Sequence, residues 1–194
     1  MKKSTVGVTI VLILVIVGLV GFYAFLTGRA KTEAQESVMT PVQQVLSRDL
    51  AKDYPATVKE VVKYYTELEK CFYNEECTEE ELEQLGMKAR ELYDRDLLAI
   101  NEVDNYLLQL KTDVKRFKDA KRRISSISVA SSTNVDFFSQ DGFDFARIYC
   151  GYVVKESTGQ SVMEGRVYLL RRGEERHWKI YGWESADKVN PGED

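Results

Sequence analysis

Between Lys3 and Arg29 the chain carries no charge at all. Residues 4–28 are dominated by Val, Ile, Leu, Gly and Phe. At ~1.5 Å per residue a helix of that length crosses a hydrocarbon core of roughly 30 Å. This stretch constrains everything after it: a chain that begins this way is expected to be anchored in a membrane, with its globular part held at the surface. A cleavable signal peptide is the rival. Its apolar region usually runs about 7–15 residues and ends in small residues. Here the run is longer and ends in Phe22-Tyr23-Ala24-Phe25-Leu26, as an uncleaved anchor with interfacial aromatics does. Ala30-Lys31-Thr32-Glu33-Ala34 makes a poor cleavage site, and no cysteine near the end of the run could carry a lipid. Lys2 and Lys3 before the span balance Arg29 and Lys31 after it, so the positive-inside count is a tie. The very short leading tail favours the N-terminus inside and the domain outside. The expected division is therefore a cytoplasmic tail (1–3), a transmembrane anchor (4–28), a linker (29–40), an extracytoplasmic domain (41–185) and a tail (186–194).

The part beyond the anchor is acidic. Apart from Lys2, Lys3 and Arg29 there are 24 basic residues against 31 acidic ones, a net charge of −7. That argues against general nucleic-acid binding, which needs a basic surface, and against broad adhesion to anionic lipid. Only three prolines occur, with no low-complexity run and no internal repeat.

Helical signals come first. Thr40-Pro41 is a cap followed by a first-turn proline, and Asp53-Tyr54-Pro55 is a second start signal. Val58, Val61, Val62, Tyr65, Leu68 and Phe72 recur at helical intervals. Thr78-Glu79-Glu80-Glu81 is a capping-box pattern. It opens a helix with Leu82, Leu85, Ala89, Leu92 and Tyr93 on one stripe and Gly86 as a weak point inside. Asn101–Asp104 resembles a cap, followed by Val103, Leu107, Leu110, Val114 and Phe117.

After Arg123 the period changes to two. Ser126–Val129 alternates, Phe143–Lys155 reads as a long strand, and Val162–Arg171 and His177–Glu184 come next across turns at Ser157-Thr158-Gly159 and Arg172–Glu175. Runs of helices followed by runs of strands predict an α+β domain: three to four helices packed on a curved antiparallel sheet of three to four strands. Such a sheet leaves a concave pocket at its wide end.

The residues Val167-Tyr168-Leu169-Leu170-Arg171-Arg172, followed by Trp178-Lys179-Ile180-Tyr181-Gly182-Trp183, resemble the final hairpin of nuclear-transport-factor-like domains, the cystatin-like cone. The order of helices and strands over residues 40–184 is similar too. Together with the single span, this resembles two kinds of protein. One is the uncharacterised membrane-anchored proteins of the Gram-positive envelope. The other is the single-span scaffold subunits of type IV secretion and conjugation machines. The superfamily includes isomerases and dehydratases beside non-catalytic binding modules, so the resemblance implies a fold and not a reaction.

Candidate chemistry is sparse. His177 is the only histidine, and no cysteine is spaced with it in a zinc pattern. No metal or other cofactor is expected, and His177 reads as a strand-edge residue. Cys150, within an apolar strand, reads as a small buried hydrophobe. Cys71 and Cys77 could close a disulfide of about 2 kcal/mol or stay as two thiols. An isomerase-type cone needs a pocket carboxylate with a raised pKa. Asp94 and Asp96 are the best-placed acids, although a helix-end turn with Asp96 as cap explains them more simply. Tyr149, Tyr152, Tyr168 and Tyr181 could line a pocket or pack a sheet. The six basic residues among positions 115–123 suit the negative end of a helix, or else an anionic partner. The expected function is a membrane-anchored, extracytoplasmic, non-catalytic module. It would contact lipid through residues 4–28 and bind an envelope protein or a small ligand, with its oligomeric state open. A secretion scaffold and a pocket enzyme are the alternatives.

Overall fold

Thr40, Thr57 and Thr78 each open a helix by the same device. Each hydroxyl accepts from the backbone N–H three residues on, and the side chain of that third residue (Gln43, Glu60 or Glu81) returns a bond to the threonine N–H. Each such reciprocal cap is worth about 1 kcal/mol. The computed structural model describes residues 39–173 and 175–186. The expected tail, the span 4–28, nearly all of the linker and residues 187–194 therefore lie outside the described residues. Among the described residues no helix is long and apolar enough to cross a membrane. The chain divides into two units, residues 1–39 and 40–194.

The second unit is α+β, with five α-helices and five strands among the described residues. The helices are α1 (Pro41–Leu46), α2 (Val58–Asn74), α3 (Glu79–Arg90), α4 (Arg95–Ile100) and α5 (Val103–Asp119). The signal at Asp53-Tyr54-Pro55 does not start α2, because Thr57 makes the cap instead. Glu102 precedes α5 without any side-chain capping bond, so the expected cap at Asn101–Asp104 is not formed.

The strands are β1 (Arg123–Val129), β2 (Asp136–Gln140), β3 (Phe143–Lys155), β4 (Ser161–Arg172) and β5 (Trp178–Ser185). They form one curved, open antiparallel sheet in the order β1-β3-β4-β5, with β2 also paired to β3. Sequence alternation in β3 sends Ala146, Ile148, Cys150, Tyr152 and Val154 inward, all buried. They meet Val61, Val62 and Leu68 of α2, none of which is exposed. Irregular register at Ile124/Ser126 and at Leu169/Leu170 adds local bends to the ladder.

Gly86 is not a flaw in α3 but a place where side chains of α5 approach closely. A Cβ there would meet Leu107 Cδ2 and Leu110 Cδ2, each at 2.9 Å. Alanine gains about 1 kcal/mol of helix propensity, which offsets a small shift of two leucine methyls. Valine does not fit. Gly86→Val is expected to lose roughly 1–3 kcal/mol by overpacking, with Gly86→Ala close to neutral. Thermal unfolding of both variants checks this, and equal stability of all three proteins would refute the close approach.

Candidate functional site

Tyr65, Glu69 and Phe72 lie on one face of α2, and Glu69 is only 4% exposed. A carboxylate in that position must be bonded or it destabilises the fold by several kcal/mol. The sheet supplies the partners. From β4, Arg166 Nη1 donates to Glu69 Oε1 at 2.6 Å. From β3, the Tyr152 hydroxyl donates to Oε2 at 2.5 Å, and the Tyr168 hydroxyl lies 3.2 Å from the same oxygen. The two hydroxyls are 2.5 Å apart. Each phenol has one proton, so Tyr152 gives its proton to Glu69 while Tyr168 shares its own between Glu69 and the Tyr152 oxygen. Burial first, then the Glu69 charge, pushes both phenols well above their ordinary range. They therefore remain protonated donors. The Arg166 guanidinium also covers the Tyr152 ring at 4.5 Å.

Above this floor is a recess of about 280 Å³. Its walls are aromatic: Tyr65, Tyr73, Tyr93, Tyr106 and Trp183. The Tyr65 and Tyr93 hydroxyls bond at 3.0 Å. Trp183 leans on Tyr65, Tyr93 and Tyr168 with ring centroids 5.8–6.1 Å apart, and remains 40% exposed at the mouth. Asn101, Gln109 and Asp113 add polar groups. Rigid rings around a few directed polar groups suit recognition of a small molecule.

Asp94 and Asp96 sit elsewhere. The chain leaving α3 pairs with β5, as Ile180 N–H donates to Leu92 O and Asp94 N–H donates to Ile180 O, both at 2.8 Å. Asp94, not Asp96, then caps α4, accepting from the Asp96 N–H at 2.9 Å. Both Asp94 oxygens are also gripped by Arg171: Nε reaches Oδ2 at 3.0 Å and Nη2 reaches Oδ1. Arg171 Nη1 lies 2.8 Å from Asp96 Oδ2, and this bond holds the Asp96 carboxyl below the usual carboxylate range. Phe143 and Tyr181 flank the guanidinium, each ring centroid 4.9 Å away. Asp96 is thus the reverse of the raised-pKa acid an isomerase needs, and Asp94 is occupied as a cap and an ion-pair partner. Beside this group lies a second recess, of about 630 Å³.

The other candidates divide. Tyr152 and Tyr168 face the core, whereas Tyr149 is half-exposed on the other sheet face and Tyr181 packs there on Phe145. His177 stacks on Tyr54 at 4.3 Å. Cys150 is fully buried, and burial pushes its thiol up to about 11. Cys71 and Cys77 are free thiols here, the Cys77 thiol donating to Cys71 O at 3.7 Å. In the basic run Lys115 pairs with Asp119, Arg116 with Asp113, and Arg122 with both Glu156 and Glu164, while Lys118 donates to Glu75 O. The Lys118 and Arg122 bonds tie the end of the run to the rest of the domain, while the Lys115 and Arg116 pairs are exposed and lie within α5. Among the described residues no cluster of His, Cys, Asp or Glu could hold a metal ion.

Residues 1–183 match the model of a domain of unknown function, DUF6715. The chain belongs to this family. No curated protein matches it. The DUF6715 match takes in both the apolar start and the whole sheet as far as Trp183, so the aromatic recess lies within the family's bounds. Reading the sequence missed Glu69, Tyr65 and Tyr106 as recess residues. The available signal was Glu69 itself, a charge four residues after Tyr65 and three before Phe72 on an apolar stripe.

Proposed function

We propose that this DUF6715 chain is a membrane-anchored binding module of the cystatin-like cone type. Residues 4–28 cross the cytoplasmic membrane once, and the domain outside receives a small ligand or a protein partner in its aromatic recess without performing chemistry on it. The succession of helices and then a curved antiparallel sheet supports the cone resemblance. So does the Trp178–Trp183 sequence on the last strand. The observation that carries the binding reading is the bonded state of Glu69. Both of its oxygens are engaged by Arg166, Tyr152 and Tyr168, so the recess presents fixed ring faces beside a fully bonded carboxylate. Two measurements test this. External protease on intact cells should reduce the chain to a short membrane-retained fragment, and a fully protected chain would reverse the orientation. Native mass spectrometry of the full chain should show a co-purified small molecule that Trp183→Ala and Tyr106→Ala release. If each of the three proteins shows only its own polypeptide mass, only the protein-partner form of the reading is left.

A scaffold role is favoured by one separate feature. On the outer sheet face Tyr149 is 46% and Met163 77% exposed. Light scattering of the detergent-solubilised full chain decides it: a monomer removes the scaffold reading.

A further inference from the structure

We propose that the second recess, beside Arg171, binds a small amphipathic anion, with a carboxylate or phosphate head on an apolar body. It is a different cavity from the aromatic one, and the two readings stand or fall separately. About 630 Å³ is the size of an ordinary small-molecule site.

The charges on its wall are unevenly matched. Three cations there bond neutral carbonyl oxygens: Arg90 Nη1 to Asn101 O at 2.5 Å, Arg172 Nε to Arg176 O at 3.3 Å, and Lys179 Nζ to Glu91 O at 2.8 Å. Among the described residues, none of the three forms an ion pair with a carboxylate. Two of the three acids of the same wall are engaged by other cations. Asp94 is held by Arg171 and Glu91 lies 3.0 Å from Lys88, while Glu175, its side chain 85% exposed, stands in solvent 3.4 Å from His177. Among the described lining residues five arginines and lysines therefore stand against three carboxylates, in a chain of net charge −4. Burial pushes the Lys179 amine below its ordinary range despite Glu175, Glu91 and Asp94 nearby. A bound anion would supply the counter-charge that solvent no longer gives. The stem of Lys179 is fixed, its ammonium 4.2 Å over the Tyr54 ring. Leu98 and Phe143 complete the lining with apolar surface, which calls for an apolar body behind the head group. Arg171, clamped by Asp94 and Asp96, has few donors to spare. Its part is to hold the wall rigid.

The test is titration calorimetry on the full chain in phosphatidylcholine nanodiscs, with phenyl phosphate, benzoate and neutral benzamide as probes. An anion is expected to bind at least tenfold more tightly than benzamide, and raised salt should weaken it. Lys179→Met and Arg172→Gln should each weaken it at least tenfold. Preference for phenyl phosphate assigns a phosphate head, and preference for benzoate a carboxylate. Lys179→Arg keeps the charge and should keep binding, which separates charge from folding if Lys179→Met proves unstable. Equal affinity for benzamide, indifference to both substitutions, or no anion binding at millimolar concentration would each overturn the proposal.

Discussion

Replacing Arg171 with methionine is expected to lower folding stability by about 3–5 kcal/mol, the usual effect of breaking a buried ion pair from one side. The substitution keeps most of the length of the side chain but removes every contact to Asp94 and Asp96. Asp94, whose side chain is 5% exposed, is then left charged and without its partner. The stacking of the guanidinium between Phe143 and Tyr181 is lost as well. Most of the effect comes from the stranded carboxylate rather than from any net worth of the pair. The double variant Arg171→Met/Asp94→Leu should therefore recover most of the loss, less the α4 cap of about 1 kcal/mol. Urea unfolding followed by tryptophan fluorescence measures both differences from the parent. A single variant within about 1 kcal/mol of the parent would show that the pair is solvated and that the wall of the second recess is not held by it.

Glu69→Leu should be comparably severe, about 3–5 kcal/mol. It removes the shared acceptor of Arg166, Tyr152 and Tyr168, and the two phenols lie where water does not reach. Glu69→Gln keeps the shape and one carbonyl acceptor, and should lose only about 1–3 kcal/mol. Tyr152→Phe removes one donor while Tyr168 still bonds the carboxylate, and should lose about 1 kcal/mol. This graded order is the diagnostic result. If Glu69→Leu is no worse than Tyr152→Phe, the network is not a unit and the recess has no fixed floor.

The long elements were legible because their apolar periods are long. β3 begins and ends where alternation places it, and every apolar member of the α2 stripe from Val58 to Phe72 is buried. Short elements carry too few residues to show a period. α4 has six, and reads as a turn. β2 has two adjacent phenylalanines and no fully buried residue, so no alternation marks it. These account for the additional helix and the additional strand beyond those expected. The sites were harder to read, for a different reason. Arg171 and Asp94 are separated by 77 positions, and Glu69 and Arg166 by 97. A charged residue inside an apolar stripe looks like an interruption until its partner is brought to it. Asp94 stands out in the sequence beside Asp96 and Tyr93, but nothing local shows that an arginine from β4 occupies it.

The rims of the sheet bear on how copies of this domain could meet. On one side β1 and β2 share the same neighbour, meeting β3 over Lys155–Cys150 and Arg147–Phe143 respectively, with a 3₁₀ turn at Ser132–Asn134 between them. No unbroken row of peptide groups runs along that rim. On the other side the segment Leu92–Asp94 lies on Ile180 and takes its donor and its acceptor. A second chain seeking to extend the ladder strand by strand finds one rim interrupted and the other partly covered, the arrangement that discourages fibrillar stacking. Copies of this domain brought close together would then find few open ladder positions, and an ordered assembly would rest mainly on side chains rather than on shared backbone.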